Sequence, residues 1–268
     1  MTESPDGVWL APNGRPKAAM LVLSGSSGRV ATERAGLFAA HGVAAFAPRW
    51  FSGPGICELP LESFTPMIDR LAEVSPVIGV IGLSKGAEAA LLLAAREPRI
   101  DVVAALAPTH VVWANVGAGI RSQRSSWTEA GEPLPFVPYD NDWTPESPDQ
   151  PIAYRGMYLR SLRTFADRVP AATIPVERIQ GQVLLAAGAD DQLWPSATFA
   201  EHIVRRRVEH GLPTSLLINP KAGHRPILPG EGAVTGGRPL ARGGTPEADA
   251  ELGADVWHEL CAMLSLDT

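Results

Sequence analysis

Apolar runs of five or six residues alternate along this chain with stretches whose apolar positions recur at helical spacing. Ala18-Ala-Met-Leu-Val-Leu23 ends in Ser24-Gly25-Ser26-Ser27-Gly28, and a helical pattern covers Thr32 to His41. Val43-Ala-Ala-Phe-Ala47 leads into Pro48-Arg-Trp-Phe51, a helix is predicted near Leu61 to Ala72, and Val77 to Ile81 is the next run. After the Ala/Leu-rich helix Ala87 to Ala95 come Val102 to Ala107 and, much later, Gln182 to Ala186 and Ser215 to Ile218. Helices fit Ser196 to Glu209 and Glu247 to Leu264. Runs with no polar alternation mark strands covered on both faces, and strand–helix alternation predicts an α/β fold with a doubly wound, mostly parallel sheet. Such sheets bind ligands at the carboxyl ends of their strands.

Two stretches break the alternation. Val111 to Pro175 is too long for a plain loop in a compact domain. It is predicted to be a cap inserted after the sixth strand (residues 111–175), with helical character near Ile152 to Val169. Its Trp113, Trp127, Tyr139, Trp143 and Tyr154 are suited to line an apolar pocket, to pack the cap on the body, or to do both at once. Pro229 to Gly244 is glycine-rich and expected to be mobile. No internal repeat stands out, and residues 1–268 are expected to form a single domain.

Composition narrows the class. Apolar residues make up 45% and charged residues 19%, as in a soluble globular protein with a substantial core. The net charge is −6, and Arg205-Arg206-Arg207, the basic cluster, falls on a helix face, which argues against a nucleic-acid partner. Cys57 and Cys261 are too few for a disulfide framework, and no Cys-x-x-Cys is present. The acidic start Met1-Thr-Glu-Ser-Pro-Asp lacks a signal-peptide pattern, and no 18-residue apolar run predicts a membrane span. A cytoplasmic protein is expected.

The candidate chemistry centres on Gly82-Leu-Ser84-Lys-Gly86, between a predicted strand and a predicted helix. Gly-x-Ser-x-Gly in that context resembles the nucleophile elbow of the α/β-hydrolase fold, whose sharp turn exposes the serine hydroxyl above a helix N-terminus. A serine hydroxyl needs a base, and the base needs a carboxylate to orient it. In that fold the order is serine, acid, histidine. Asp191 is the predicted acid, after the strand ending at Ala187, with Asp190 the alternative; both also suit turn or cap roles. His224, in Asn219-Pro-Lys-Ala-Gly-His224, is the predicted base. His41, His202, His210 and His258 lie in or beside helices and are read as surface residues. His110 ends the strand after the elbow and suits either a substrate contact or a simple hydrogen-bonded role. The oxyanion would rest on the N–H groups of Lys85 and Ser26, with Ser27 the neighbouring choice. Lys85 and Glu88, three apart on a helix, are expected to form a structural pair. Ser27, His110, Trp113, Trp127 and Trp194 are the predicted substrate contacts, and no metal or cofactor is required. The glycine-serine loop lacks the Gly-x-x-x-x-Gly-Lys-Ser/Thr spacing of a nucleotide site.

Ile81 to Glu88, Val111-Val-Trp113, Ser126 to Pro138, Gly188 to Ser196 with Ala222-Gly-His224, and Gly243 to Ala250 together resemble the acyl-CoA thioester hydrolase / bile acid-CoA:amino acid N-acyltransferase C-terminal domain family, near dienelactone hydrolases. The resemblance implies acyl transfer from a thioester through a covalent acyl-enzyme, with Ser84 as nucleophile, Asp191 as acid and His224 as base. Family members that conjugate amino acids carry cysteine at the nucleophile, so Ser84 implies water as acceptor. Larger members carry an N-terminal immunoglobulin-like domain; with a first core strand at Ala18, this sequence is expected to lack it. The implied partner is a small acyl thioester or ester, coenzyme A-linked in the family's pattern. Arg121 and Arg124 are then either contacts for coenzyme A phosphates or surface charges. The alternatives are carboxylester or lactone hydrolysis, acyl transfer to an amine or alcohol, and a non-catalytic binding scaffold. The presence of every member of the expected triad argues against the last.

Overall fold

The structure is a computed structural model that describes residues 2–4, 7–52, 55–117, 122–147, 150–232 and 239–266. Eight strands form one sheet: β1 (Thr2–Ser4), β2 (Gly7–Leu10), β3 (Ala18–Leu23), β4 (Val43–Pro48), β5 (Ile78–Leu83), β6 (Val102–Leu106), β7 (Gln182–Gly188) and β8 (Ser215–Asn219). The main helices are α1 (Thr32–Ala40), α2 (Thr65–Val74), α3 (Lys85–Ala94), α4 (Arg155–Thr164), α5 (Ser196–Glu209) and α6 (Pro246–Met263). The spatial order is β1-β2-β4-β3-β5-β6-β7-β8. The strands from β4 across to β8 are parallel, and β1 and β2 add an antiparallel edge.

The apolar runs form strands because both faces of the sheet are covered. Ala19, Leu21 and Leu23 of β3 face one core cluster, and Ala18, Met20 and Val22 face the other. α2, α3 and α5 pack on the first face, and α1 and α6 on the second. The chain passes from β3 outward to β4, then returns to lay β5 on the other side of β3. That reversal opens a crevice between the carboxyl ends of β3 and β5, where such sheets hold ligands.

The segment between β6 and β7 has its own apolar cluster of Val111, Trp113, Val137 and Ala172, closed by Trp194 and Phe199. Its strand Trp127–Glu129 pairs with Leu59–Pro60, and its Val116–Gly117 pairs with Gly55–Ile56, so it is stitched to the β4–α2 connection. The helix expected over Ile152 to Val169 is found as Arg155–Thr164, followed by a short turn of helix at Val169–Ala172. Residues 233–238 of the glycine-rich stretch, and Arg121, lie outside the described residues. Among the described residues no helix is long and apolar enough to cross a membrane.

Candidate active site

β5 runs into Ser84 and α3 starts at Lys85, so one residue makes the turn. Ser84 takes φ 58 and ψ −118, a left-handed conformation that a side chain adopts only when its surroundings enforce it. The surroundings are close. A Cβ at Gly82 would lie 2.0 Å from the Gly86 carbonyl oxygen, and one at Gly86 would lie 2.4 Å from that of Ser24. The two glycines of the motif are therefore steric requirements of the turn. Ser84 N–H donates to Leu106 O at the end of β6 (2.9 Å), and its own carbonyl accepts from Ala87 and Glu88 (2.9 and 3.0 Å).

Beyond β7 and β8, two turns carry the acid and base candidates. His224 Nδ1 and Asp191 Oδ2 are 2.8 Å apart. The other carboxylate oxygen of Asp191 accepts the N–H groups of Leu193 (2.9 Å) and Trp194 (3.2 Å), and the residue is fully buried. An ionised carboxylate only accepts, so Nδ1 carries the proton and Nε2 is left as the basic nitrogen. Asp190 points the other way, accepting from Gly244 N–H (2.8 Å) and Gln192 (2.8 Å), and these bonds hold its carboxyl below the usual range. Arg155, the first residue of α4, clamps the same turn through Ala189 O (3.1 Å) and Asp191 O (2.9 Å). The end of β6 lies between elbow and base. Trp194 donates its indole N–H to Ala107 O (3.2 Å) and meets the His224 ring edge-on at 5.6 Å. Among the described residues Ser84 Oγ makes no hydrogen bond to His224, a contact that commonly tightens only with substrate bound.

Neither Lys85 N–H nor Ser26 N–H, the expected oxyanion donors, has a backbone acceptor among the described residues. Lys85 N–H is one of the orphan donors of the first helical turn. Ser26 and Ser27 are exposed on the tight Gly25–Gly28 turn, and a Cβ at Gly25 would stand 3.4 Å from that of Ser84.

The other predicted substrate contacts divide. Trp194 stands beside His224. Trp113 is fully buried, its indole N–H bonded to Thr109 (2.8 Å) and its ring against Tyr158 and Tyr139. Trp127 is also fully buried, stacked on Trp50 at 5.7 Å. Both indoles pack the inserted segment, one of the roles the aromatic pattern allowed. His110 does not have the hydrogen-bonded role expected as one option. Its Nδ1 is buried without a partner, and its ring stacks on His202 at 4.6 Å. Burial, reinforced by His202, lowers its pKa to about 3. Arg124 pairs with Glu58 across 2.9 Å.

A feature the sequence only partly disclosed ties α3 to the inserted segment. Lys85 Nζ donates to Glu88 (2.7 Å) and to Ser126 Oγ (2.8 Å), which itself donates to Ala114 O (2.9 Å). The second oxygen of Glu88 accepts the Trp127 indole N–H (2.7 Å) and Trp113 N–H (3.2 Å). All four side chains are buried, and burial pushes the Lys85 ammonium pKa down while Glu88 opposes it.

The sheet order, the strained serine at its switch point and the flanking helices define an α/β-hydrolase. Its backbone superposes on a dienelactone hydrolase-like protein from Klebsiella pneumoniae with a TM-score of 0.53 at 13% identity, covering 95% of this chain and 90% of that one. Residues 62–266 match the model of the BAAT / acyl-CoA thioester hydrolase C-terminal family, and the chain belongs to that family. Human acyl-coenzyme A thioesterase 1 is 27% identical over 270 residues, covering 94% of this chain and 61% of that protein. Rat acyl-coenzyme A amino acid N-acyltransferase 2 is 23% identical over 289 residues, with 94% and 61% covered. The chain thus spans about three fifths of the length of these curated relatives.

Proposed function

We propose that the chain hydrolyses acyl thioesters, with coenzyme A thioesters as the substrate class, through an acyl-enzyme on Ser84. The observation that carries this reading is the 2.8 Å contact between Asp191 and His224, on turns tied to the strained Ser84 elbow through the end of β6. His224 Nε2 takes the proton of Ser84 Oγ as that oxygen bonds to the acyl carbonyl carbon. The N–H groups of Lys85 and Ser26 receive the oxyanion, which costs little because they have no backbone acceptor to give up. Collapse breaks the carbon–sulfur bond, and His224 returns its proton to the departing thiolate. Water, deprotonated by His224, then releases the free acid and restores Ser84. Asp191 keeps the proton on Nδ1 and stabilises the imidazolium in both halves. The segment 111–175 acts as the cap over this site. A reducing compartment, the cytoplasm, suits Cys57 and Cys261 as free thiols.

The test is a panel of acyl-CoA thioesters incubated with and without glycine and taurine, with products read by mass spectrometry. Free acid is expected in both conditions. Ser84→Ala should lower turnover by roughly 10⁴-fold or more with the fold intact by circular dichroism. An amide product would make the chain a transferase, and a folded Ser84→Ala variant with undiminished turnover would remove the serine from the chemistry.

A further inference from the structure

Every buried or part-buried arginine needs an acceptor, and most here have one. Arg34 holds Glu231 (2.7 Å), Arg96 holds Glu129 (2.7 Å), Arg206 holds Glu177 (2.5 Å), and Arg155 and Arg207 donate to main-chain carbonyls. Arg225 and Arg242 are the exceptions among the described residues. Both are part-buried, and neither guanidinium has a hydrogen-bond acceptor or a carboxylate within ion-pair distance. They are not scattered. Arg225 follows His224 in the chain, and the Arg242 carbonyl accepts His224 N–H at 3.0 Å, so the two arginines flank the candidate base.

The surroundings hold both signs of charge, with cations in excess around Arg225. Burial pushes the Arg225 pKa below the ordinary arginine range; Glu231 opposes this, and Arg34, Arg242 and Arg29 add to it. The Glu231 carboxylate already holds Arg34 through two bonds of 2.7 and 2.9 Å. In a chain of net charge −6, three further arginines thus lie close enough to act on Arg225, the residue after His224. Asp249, which accepts Gly223 N–H at 2.7 Å, is the other acid that feels Arg225, but among the described residues it forms no ion pair with it. A part-buried cation without a direct ion-pair partner is costly, and a guanidinium's forked donors suit a phosphate or carboxylate.

We propose that Arg225 and Arg242 form a seat for an anionic group of the substrate, a phosphate or a carboxylate, directly beside His224. The inference rests on His224 being the catalytic base. A phosphate would come from the carrier on the leaving-group side, as in coenzyme A. A carboxylate would come from the far end of the acyl chain.

Calorimetric titration of coenzyme A, and separately of glutarate, into the full chain carrying Ser84→Ala separates the two sources. One probe should bind, and Arg225→Gln with Arg242→Gln should weaken it by about tenfold or more. Arg225→Lys with Arg242→Lys should recover part of the loss. Dependence confined to coenzyme A assigns a phosphate, and dependence confined to glutarate assigns a carboxylate. Binding of neither probe, or binding indifferent to the Gln substitutions in proteins with wild-type melting temperatures, overturns the seat. If the double variant does not fold, the two single Gln variants carry the comparison. Hydrolysis of p-nitrophenyl butyrate, a neutral ester, reads the hydrolase assignment separately. Ester turnover lost in Ser84→Ala but no anion binding would leave the triad and remove the seat. Anion binding without Ser84-dependent turnover would do the reverse.

Discussion

Ser84 and His224 stand out in the sequence because each sits in a short glycine-marked turn after a predicted strand. The acid was narrower to read, since Asp190 and Asp191 are adjacent and share the same turn. Their side chains diverge, Asp191 into the interior toward His224 and Asp190 outward to Gly244 N–H, a difference set by the backbone of the turn. Asp191→Asn should therefore lower kcat by about 10²- to 10⁴-fold, since an amide no longer enforces the proton on Nδ1. Asp190→Asn, which keeps an acceptor for Gly244, should change kcat only a few-fold. Steady-state kinetics on one thioester checks both, and equal losses would contradict the assignment. His110 marks the limit of reading residue types. Nothing in Ala107-Pro-Thr-His110 foretells a ring nitrogen buried without a partner, because that depends on α5 closing over it.

Elements were legible where local pattern and tertiary burial agree. α5 is found over Ser196–Glu209, the span the periodicity predicts, and the parallel strands coincide with unbroken apolar runs. β1 and β2 are not legible in the sequence because their pairing is an edge effect: Gly7–Leu10 is a strand through its antiparallel pairing with β4 on one side and β1 on the other. The expected pairing of Lys85 with Glu88 is present, but its partners are not local. Trp113 and Trp127 lie 25 and 39 residues from Glu88, a separation no helical spacing reveals. Every residue of α3 is buried, so this charge has no water to fall back on. Glu88→Gln should destabilise the fold by about 3–5 kcal/mol, because it leaves the Lys85 ammonium uncompensated. Adding Lys85→Met should recover part of that loss in urea unfolding, the sign of a coupled pair. Strict additivity of the two losses would show that they act independently.

At the scale of the molecule, the alternation of strand and helix gave the doubly wound class, and the sheet reversal that sets the site between β3 and β5 became visible only with the strand order. Global stability should also carry the mark of His110. The folded protein holds this group neutral down to about pH 3, whereas the unfolded chain protonates it below about pH 6.5. The unfolded state thus binds more protons in that window, and stability falls as the pH drops. Between pH 7 and pH 5 the contribution is at most about 2 kcal/mol, and His110→Phe should remove it. Urea unfolding at the two pH values tests this, and an identical pH dependence in the variant would locate the sensitivity elsewhere. The shared carboxylate of Glu88 has one more consequence, for modularity. Segments inserted between strands are natural units for exchange among relatives, but this one is wired into the body by two donors on a single buried oxygen. A graft that carries in a foreign segment must bring matching donors or replace the acid, so recombination breakpoints at its two ends will succeed only when the segment's donors and residue 88 are matched.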